Sequence, residues 1–152
     1  MITKEDAEKL CNCAGVILLK KHPQHQIILV ESKRKKYQFS FPKGKREKGE
    51  DTLTAAKREL KEETGIKEGD YMIYSDKFYI EYKRDTDQPH MIYYFAILTN
   101  EDVEVNPENP EELVACKWYS PNEVYKMKEA FYLQRKQILS QCMRDYSYSF
   151  ED

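Results

Sequence analysis

Long apolar runs, glycine and net charge are all scarce in this chain of 152 residues. No uninterrupted apolar stretch, Ala14 to Leu19 included, approaches the roughly 20 residues that cross a bilayer. The first residues also lack the apolar core of a signal peptide, so the expectation is a soluble, cytoplasmic protein with no membrane partner. Lys plus Arg number 25 against 27 for Asp plus Glu, a net charge of -2. That balance excludes a strong general attraction to nucleic acid or anionic lipid, so any polyanion must be gripped locally. The four cysteines are scattered, which argues against a secreted disulfide scaffold, and they read as reduced and mostly buried. His22, His25 and His90 show no zinc-ligand spacing relative to Cys11 and Cys13. The length and the absence of an obvious repeat predict a single domain over 1–152. Of only five glycines, three (Gly44, Gly49 and Gly65) fall within 22 residues, which marks a segment needing unusual backbone.

Patterning supplies an outline. Cys13 to Leu19 and His25 to Glu31 read as a hairpin across the turn-prone Lys21-His22-Pro23-Gln24, and Tyr37 to Phe41 reads as a short strand ended by Pro42-Lys43-Gly44. The basic run Lys33 to Lys36 is either a solvated loop or a phosphate-facing one. From Asp51 to Thr64 the period turns helical, with Leu53, Ala56 and Leu60 on one stripe and Gly65 as the stop. Tyr71 to Tyr82, Met91 to Leu98 and Val114 to Tyr119 read as further strands. Ser120-Pro121 is a helix start, with helix expected to about Asp145 and no order predicted from Ser147 onward. The expected class is α/β, with helices packed on the faces of a mixed sheet.

On the central helix, Glu59, Glu62 and Glu63 stand at i, i+3 and i+4 and so share one arc beside the buried stripe. Clustered hard oxygen donors suit Mg²⁺ or Mn²⁺, although an ordinary Glu/Lys-rich surface helix would look the same taken alone. The flanks change the balance. From Gly44 the chain runs through five residues to Glu50, seven more, then Arg58-Glu59-Leu60-Lys61-Glu62-Glu63-Thr64-Gly65-Ile66. Every fixed position of the Nudix hydrolase signature is matched, and the chain resembles that family, which cleaves nucleoside diphosphates linked to another group.

The resemblance implies an α/β/α sandwich and a divalent-metal site for a nucleotide polyphosphate. It implies Glu59, Glu62 and Glu63 as metal ligands, with Arg58 orienting them, Glu50 in support, and Lys43 offering a backbone carbonyl where Gly44 permits close approach. In the acidic loop before Trp118, Glu112 is the expected further ligand or general base, with Glu111 weaker and Glu62 or Glu63 as alternative bases. Lys36, Lys43, Lys45 and Tyr82 are the candidate substrate contacts. Tyr82 follows Ile66 by sixteen residues, similar to the dinucleoside polyphosphate branch where a ring stacks on a base. Phe41-Pro42-Lys43-Gly44-Lys45 equally resembles the mRNA-decapping members, so an RNA 5′ end stands second as substrate. Lys126, Lys128, Arg135, Lys136 and Arg144 then form either a backbone-contacting face or a solvated one. Inositol pyrophosphates stand third, and a non-catalytic binding module would require losses among the metal ligands that the sequence does not have.

Overall fold

The structure, a computed structural model, describes residues 2–33, 37–108 and 113–151. Lys36, Glu111 and Glu112 lie outside the described residues, as does most of the basic run before Tyr37. Strands β1 (Cys13–Lys20) and β2 (Gln26–Ser32) form the expected hairpin, paired at Leu19/Ile27 and Lys20/Gln26. β2 continues against β7 (Leu113–Tyr119), while β1 runs parallel to β6 (Pro89–Leu98), which is antiparallel to β5 (Tyr71–Tyr82). One parallel pairing among antiparallel ones makes the sheet mixed.

The expected strand at Tyr37 to Phe41 shrinks to β3 (Phe39–Ser40), and the chain after it does not break. Lys43–Lys45 instead form β4, antiparallel to Cys13–Gly15 of β1. Gly15 explains why. A side chain there would come within 2.6 Å of the Pro42 carbonyl, the acceptor for Val16 N–H, so only glycine lets this segment lie against β1.

Helices cover both faces. The short α1 (Lys4–Leu10), too brief and polar to be predicted, buries Ala7. It packs on the same side of the sheet as α2 (Thr52–Thr64), over Val16, Leu18 and Ile92. The opposite face, lined by Ile17, Leu19 and Phe95, is covered by α3 (Pro121–Tyr125) and α4 (Leu133–Glu151). The single late helix expected from Pro121 is therefore two. Between them Phe131 is drawn into the core against Phe41, and Ala130 accepts a backbone bond from Phe39 N–H. α4 also outruns its expected end, because Tyr146 is buried against Tyr74 and Phe95. All four cysteines are free; Cys11 and Cys142 are buried, Cys13 and Cys116 partly so. No helix among the described residues is long and apolar enough to cross a membrane.

Candidate active site

α2 begins where Asp51 accepts from Thr54 N–H and ends where Gly65 takes a left-handed φ of 80°, which an L side chain rarely adopts. Leu60 and Ile66 are fully buried, each contributing roughly 1.5–3 kcal/mol of apolar burial. That anchoring fixes the rotation of the helix, so the arc carrying Glu59, Glu62 and Glu63 faces the edge of β4. The last turn is held from outside as well. Thr64 and Glu62 carbonyls, orphaned at a helix end, accept from Asn106 and Glu108 N–H at 2.9 and 2.8 Å. The acidic loop thus starts its course beside the glutamate cluster.

Arg58 organises that cluster. Its Nε and Nη2 donate to the two oxygens of Glu50 at 2.7 and 2.9 Å, Nη1 donates to Glu59 at 2.9 Å and to Glu62 at 3.3 Å, and Nη2 also reaches the Lys45 carbonyl. A planar fork grips Glu50 with two parallel bonds while reaching two further carboxylates, a fixed geometry that the single ammonium of a lysine does not reproduce. Glu63 turns to the sheet, where Oε1 accepts from Lys43 N–H at 2.9 Å. A Cβ on Gly44 would lie under 3.0 Å from all three atoms of the Glu59 carboxyl group. A side chain at this position would displace the Glu59 carboxylate, which occupies that space.

Burial raises the Glu63 pKa to about 7, against a lowering by the Lys43 N–H bond, and raises that of Glu59. Arg58 holds Glu50 below the usual carboxylate range. Desolvated acids packed close together call for a cation. Among the described residues no three His, Cys, Asp or Glu side chains close on one point fit to hold an ion. The donors nevertheless suit a hard divalent ion in kind, and the Gly44 cradle keeps one of them against the sheet. Glu62, with 45% of its side chain exposed against 13% for Glu59, has the freedom to move off Arg58.

Lys43 and Lys45 alternate with Gly44 along β4, so they share the face of Cys13 and Gly15, opposite α2. Lys45 is exposed and Lys43 half-buried. On that face, across β1 and β6, lies a groove of about 1700 Å³ between β5 and α4, lined by Tyr37, Tyr82, Arg84, Lys128, Tyr132 and Gln134 among others. Gln134 grips the Tyr82 backbone from both sides, accepting from its N–H at 2.6 Å and donating to its carbonyl at 3.1 Å.

The sequence reading missed Glu81, which lies fully buried behind Tyr82. Burial pushes its pKa up, but hydrogen bonds from Arg135 at 2.6 and 3.2 Å, aided by Tyr93 and His90, outweigh that and leave it low. Nothing local signals a pairing across 54 residues. Arg135 is consequently no part of an exposed basic face on α4, and Arg144 is bonded to Gln141.

The family profile for the NUDIX domain matches residues 10–142. The chain belongs to the Nudix family and is a hydrolase of the pyrophosphohydrolase kind, a class of enzymes that generally use divalent metal ions. The fold is similar to that of a Caenorhabditis elegans Ap4A hydrolase in a binary complex, with a TM-score of 0.75 and 23% identity over 89% of this chain and 98% of that one. It is also similar to the NUDIX domain of Shewanella oneidensis NrtR complexed with ADP ribose, at a TM-score of 0.65 and 16% identity over 93% and 99% of the two chains. A Nudix hydrolase of Mycobacterium smegmatis, RenU, gives 0.67 and 15% over 91% and 86%. No curated protein sequence matches significantly.

Proposed function

We propose that the chain is a Mg²⁺-dependent hydrolase of dinucleoside polyphosphates, of the diadenosine tetraphosphate type, with Mn²⁺ able to substitute. The observation that carries this reading is the Arg58-gathered set of Glu50, Glu59 and Glu62, with Glu63 tied to Lys43 N–H. In this reading Glu59, Glu62, Glu63 and the Lys43 carbonyl hold the ions, with Glu112 as a further ligand. Bound divalent ions supply charge neutralisation on the polyphosphate and a lowered pKa for the attacking water. The protein's own contributions are positional. Arg58 keeps the carboxylates apart and aimed, and a glutamate accepts the proton of the water, with Glu112, Glu62 and Glu63 as candidates. Lys43, Lys45 and Lys36 face the phosphates, and Tyr82 stacks on a base. The tethering of Asn106 and Glu108 to the end of α2 supports Glu112 in its role, since the loop leaves from beside Glu62.

An RNA 5′ end remains the second substrate, but the buried pairing of Arg135 with Glu81 removes one charge from the α4 face that would follow the RNA backbone. A panel of kcat/KM values for diadenosine tetraphosphate, capped RNA, free cap dinucleotide, an inositol pyrophosphate and ADP-ribose tests the assignment. The first should be the best substrate. A preference for long capped RNA over free cap would replace it with the decapping reading, and no turnover of any would favour a binding module.

A further inference from the structure

Arg46 occupies no fixed position of the signature, yet every nitrogen of its guanidinium is spent on backbone carbonyls. Nε and Nη2 donate to the Glu50 carbonyl at 3.1 and 2.9 Å, and Nη1 donates to the Glu8 and Cys11 carbonyls at 2.6 and 3.0 Å. The last two are carbonyls at the end of α1, where a helix leaves its final acceptors without intrahelical partners. The Arg46 N–H adds a bond to the Asn12 carbonyl at 2.8 Å.

α1 reaches the same loop a second time. Glu8 Oε1 accepts from Thr52 N–H at 2.8 Å and from Thr52 Oγ1 at 2.5 Å, and that buried hydroxyl also lies 2.6 Å from the Tyr94 hydroxyl. Glu8 therefore places a carboxylate at the first turn of α2, where the helix dipole favours negative charge. The loop from Arg46 to Asp51 is pinned by α1 at both ends. Its middle residue of consequence is Glu50, whose carbonyl Arg46 holds and whose carboxylate holds Arg58.

We propose that α1 is a brace for the loop that carries Glu50, behind the metal ligands, and that Arg46 is its positioning residue. Contacts run from α1 to Arg46, to the Glu50 backbone, through the Glu50 carboxylate to Arg58, and so to Glu59 and Glu62. Without Arg46 all the carboxylates remain, but Glu50 and Arg58 lose the register that keeps Glu59 and Glu62 aimed. Lysine cannot substitute, since one ammonium on a flexible stem does not reproduce a fork spanning three carbonyls. The proposal rests on the metal reading above.

Mn²⁺ titration of the nucleotide-free full chain, followed by electron paramagnetic resonance, separates the two. Glu59→Gln should abolish tight binding, and Arg46→Lys and Arg46→Ala should each weaken it by about 10- to 100-fold, the range for residues that support metal ligands. Leu139→Ala, which opens the α4 side of the core, should lower the melting temperature and leave Mn²⁺ affinity unchanged. Arg46→Lys keeps the charge, and its folding is checked by the same melts. Should Arg46→Ala fail to fold, Glu8→Gln takes its place, with weakening in the same direction. Wild-type affinity in Arg46→Lys alongside loss in Glu59→Gln would overturn the brace and leave the metal site standing. Equal weakening in Leu139→Ala would reduce Arg46 to a stability effect, and unchanged binding in Glu59→Gln would remove the metal reading itself.

Discussion

Arg58 and Glu50 are joined by two hydrogen bonds, Nε to Oε2 at 2.7 Å and Nη2 to Oε1 at 2.9 Å, which leave Nη1 free to reach Glu59 and Glu62. The pair ties two of the three acids on the helical arc, Glu59 and Glu62, into an ordered set. Arg58→Lys should keep the charge and lose the fork, so turnover should fall by about 10- to 100-fold with the fold intact. Steady-state kinetics beside a thermal melt checks it. Wild-type turnover would deny Arg58 an orienting role.

Gly44→Ala tests the same site from the sheet side. The added methyl claims the space of the Glu59 carboxylate, and a displacement of that group of about 1 Å should cost about 100-fold in kcat. Exchange at Gly69, where φ is 101° but nothing lies within 4 Å, meets no such neighbour and lies outside the loop that carries Glu50, so it should strain the backbone without touching the site. Comparison of activity with stability for the two variants distinguishes displacement of a carboxylate from general strain.

Protonation gives a third test. The Glu63 pKa rises from 4.5 in the unfolded chain to about 7 in the metal-free fold, and that of Glu59 rises too, both chiefly through burial. Between these values the unfolded chain binds fewer protons, so stability of the metal-free protein should fall as pH climbs from about 4.5 through about 7. Glu50 and Glu81, whose pKa values are lowered, lose their contribution only as pH drops below the ordinary carboxylate value and do not mask the slope. Melting curves across this window should show the decline, and Mg²⁺ or Glu63→Gln should flatten it. A wild-type curve that rises over the same interval would contradict the buried-acid picture.

Tyr82→Ala should weaken dinucleotide turnover by about 1–3 kcal/mol, the value of one lost base stack, with the effect in KM. Unchanged KM and kcat would take Tyr82 out of the site. Glutamine 134 holds the Tyr82 backbone rather than its ring, so the platform itself survives the substitution.

The hairpin, the later strands and the central helix were legible because local signals agreed with the tertiary answer. Asp51 caps, Gly65 stops, and the apolar stripe faces the core. Where tertiary contacts overrode local pattern, the reading missed. Pro42-Lys43-Gly44 reads as punctuation, yet Gly15 across the strand lets it pair. α1 is too short to form on its own merits and is held by Ala7, Glu8 and Arg46, the last 35 residues beyond its Cys11 acceptor. Carboxylate clustering could be read from spacing alone, whereas the Arg135–Glu81 pair, formed between two elements distant in sequence, could not.

Hydrolysis by Glu63→Gln tests the central claim most directly. Glutamine preserves size and the bond from Lys43 N–H while removing the charge a divalent ion requires. With Mg²⁺ and diadenosine tetraphosphate, the account predicts a fall of at least about 100-fold in kcat with an unchanged fold. Wild-type hydrolysis of every substrate in the panel by this variant would contradict it.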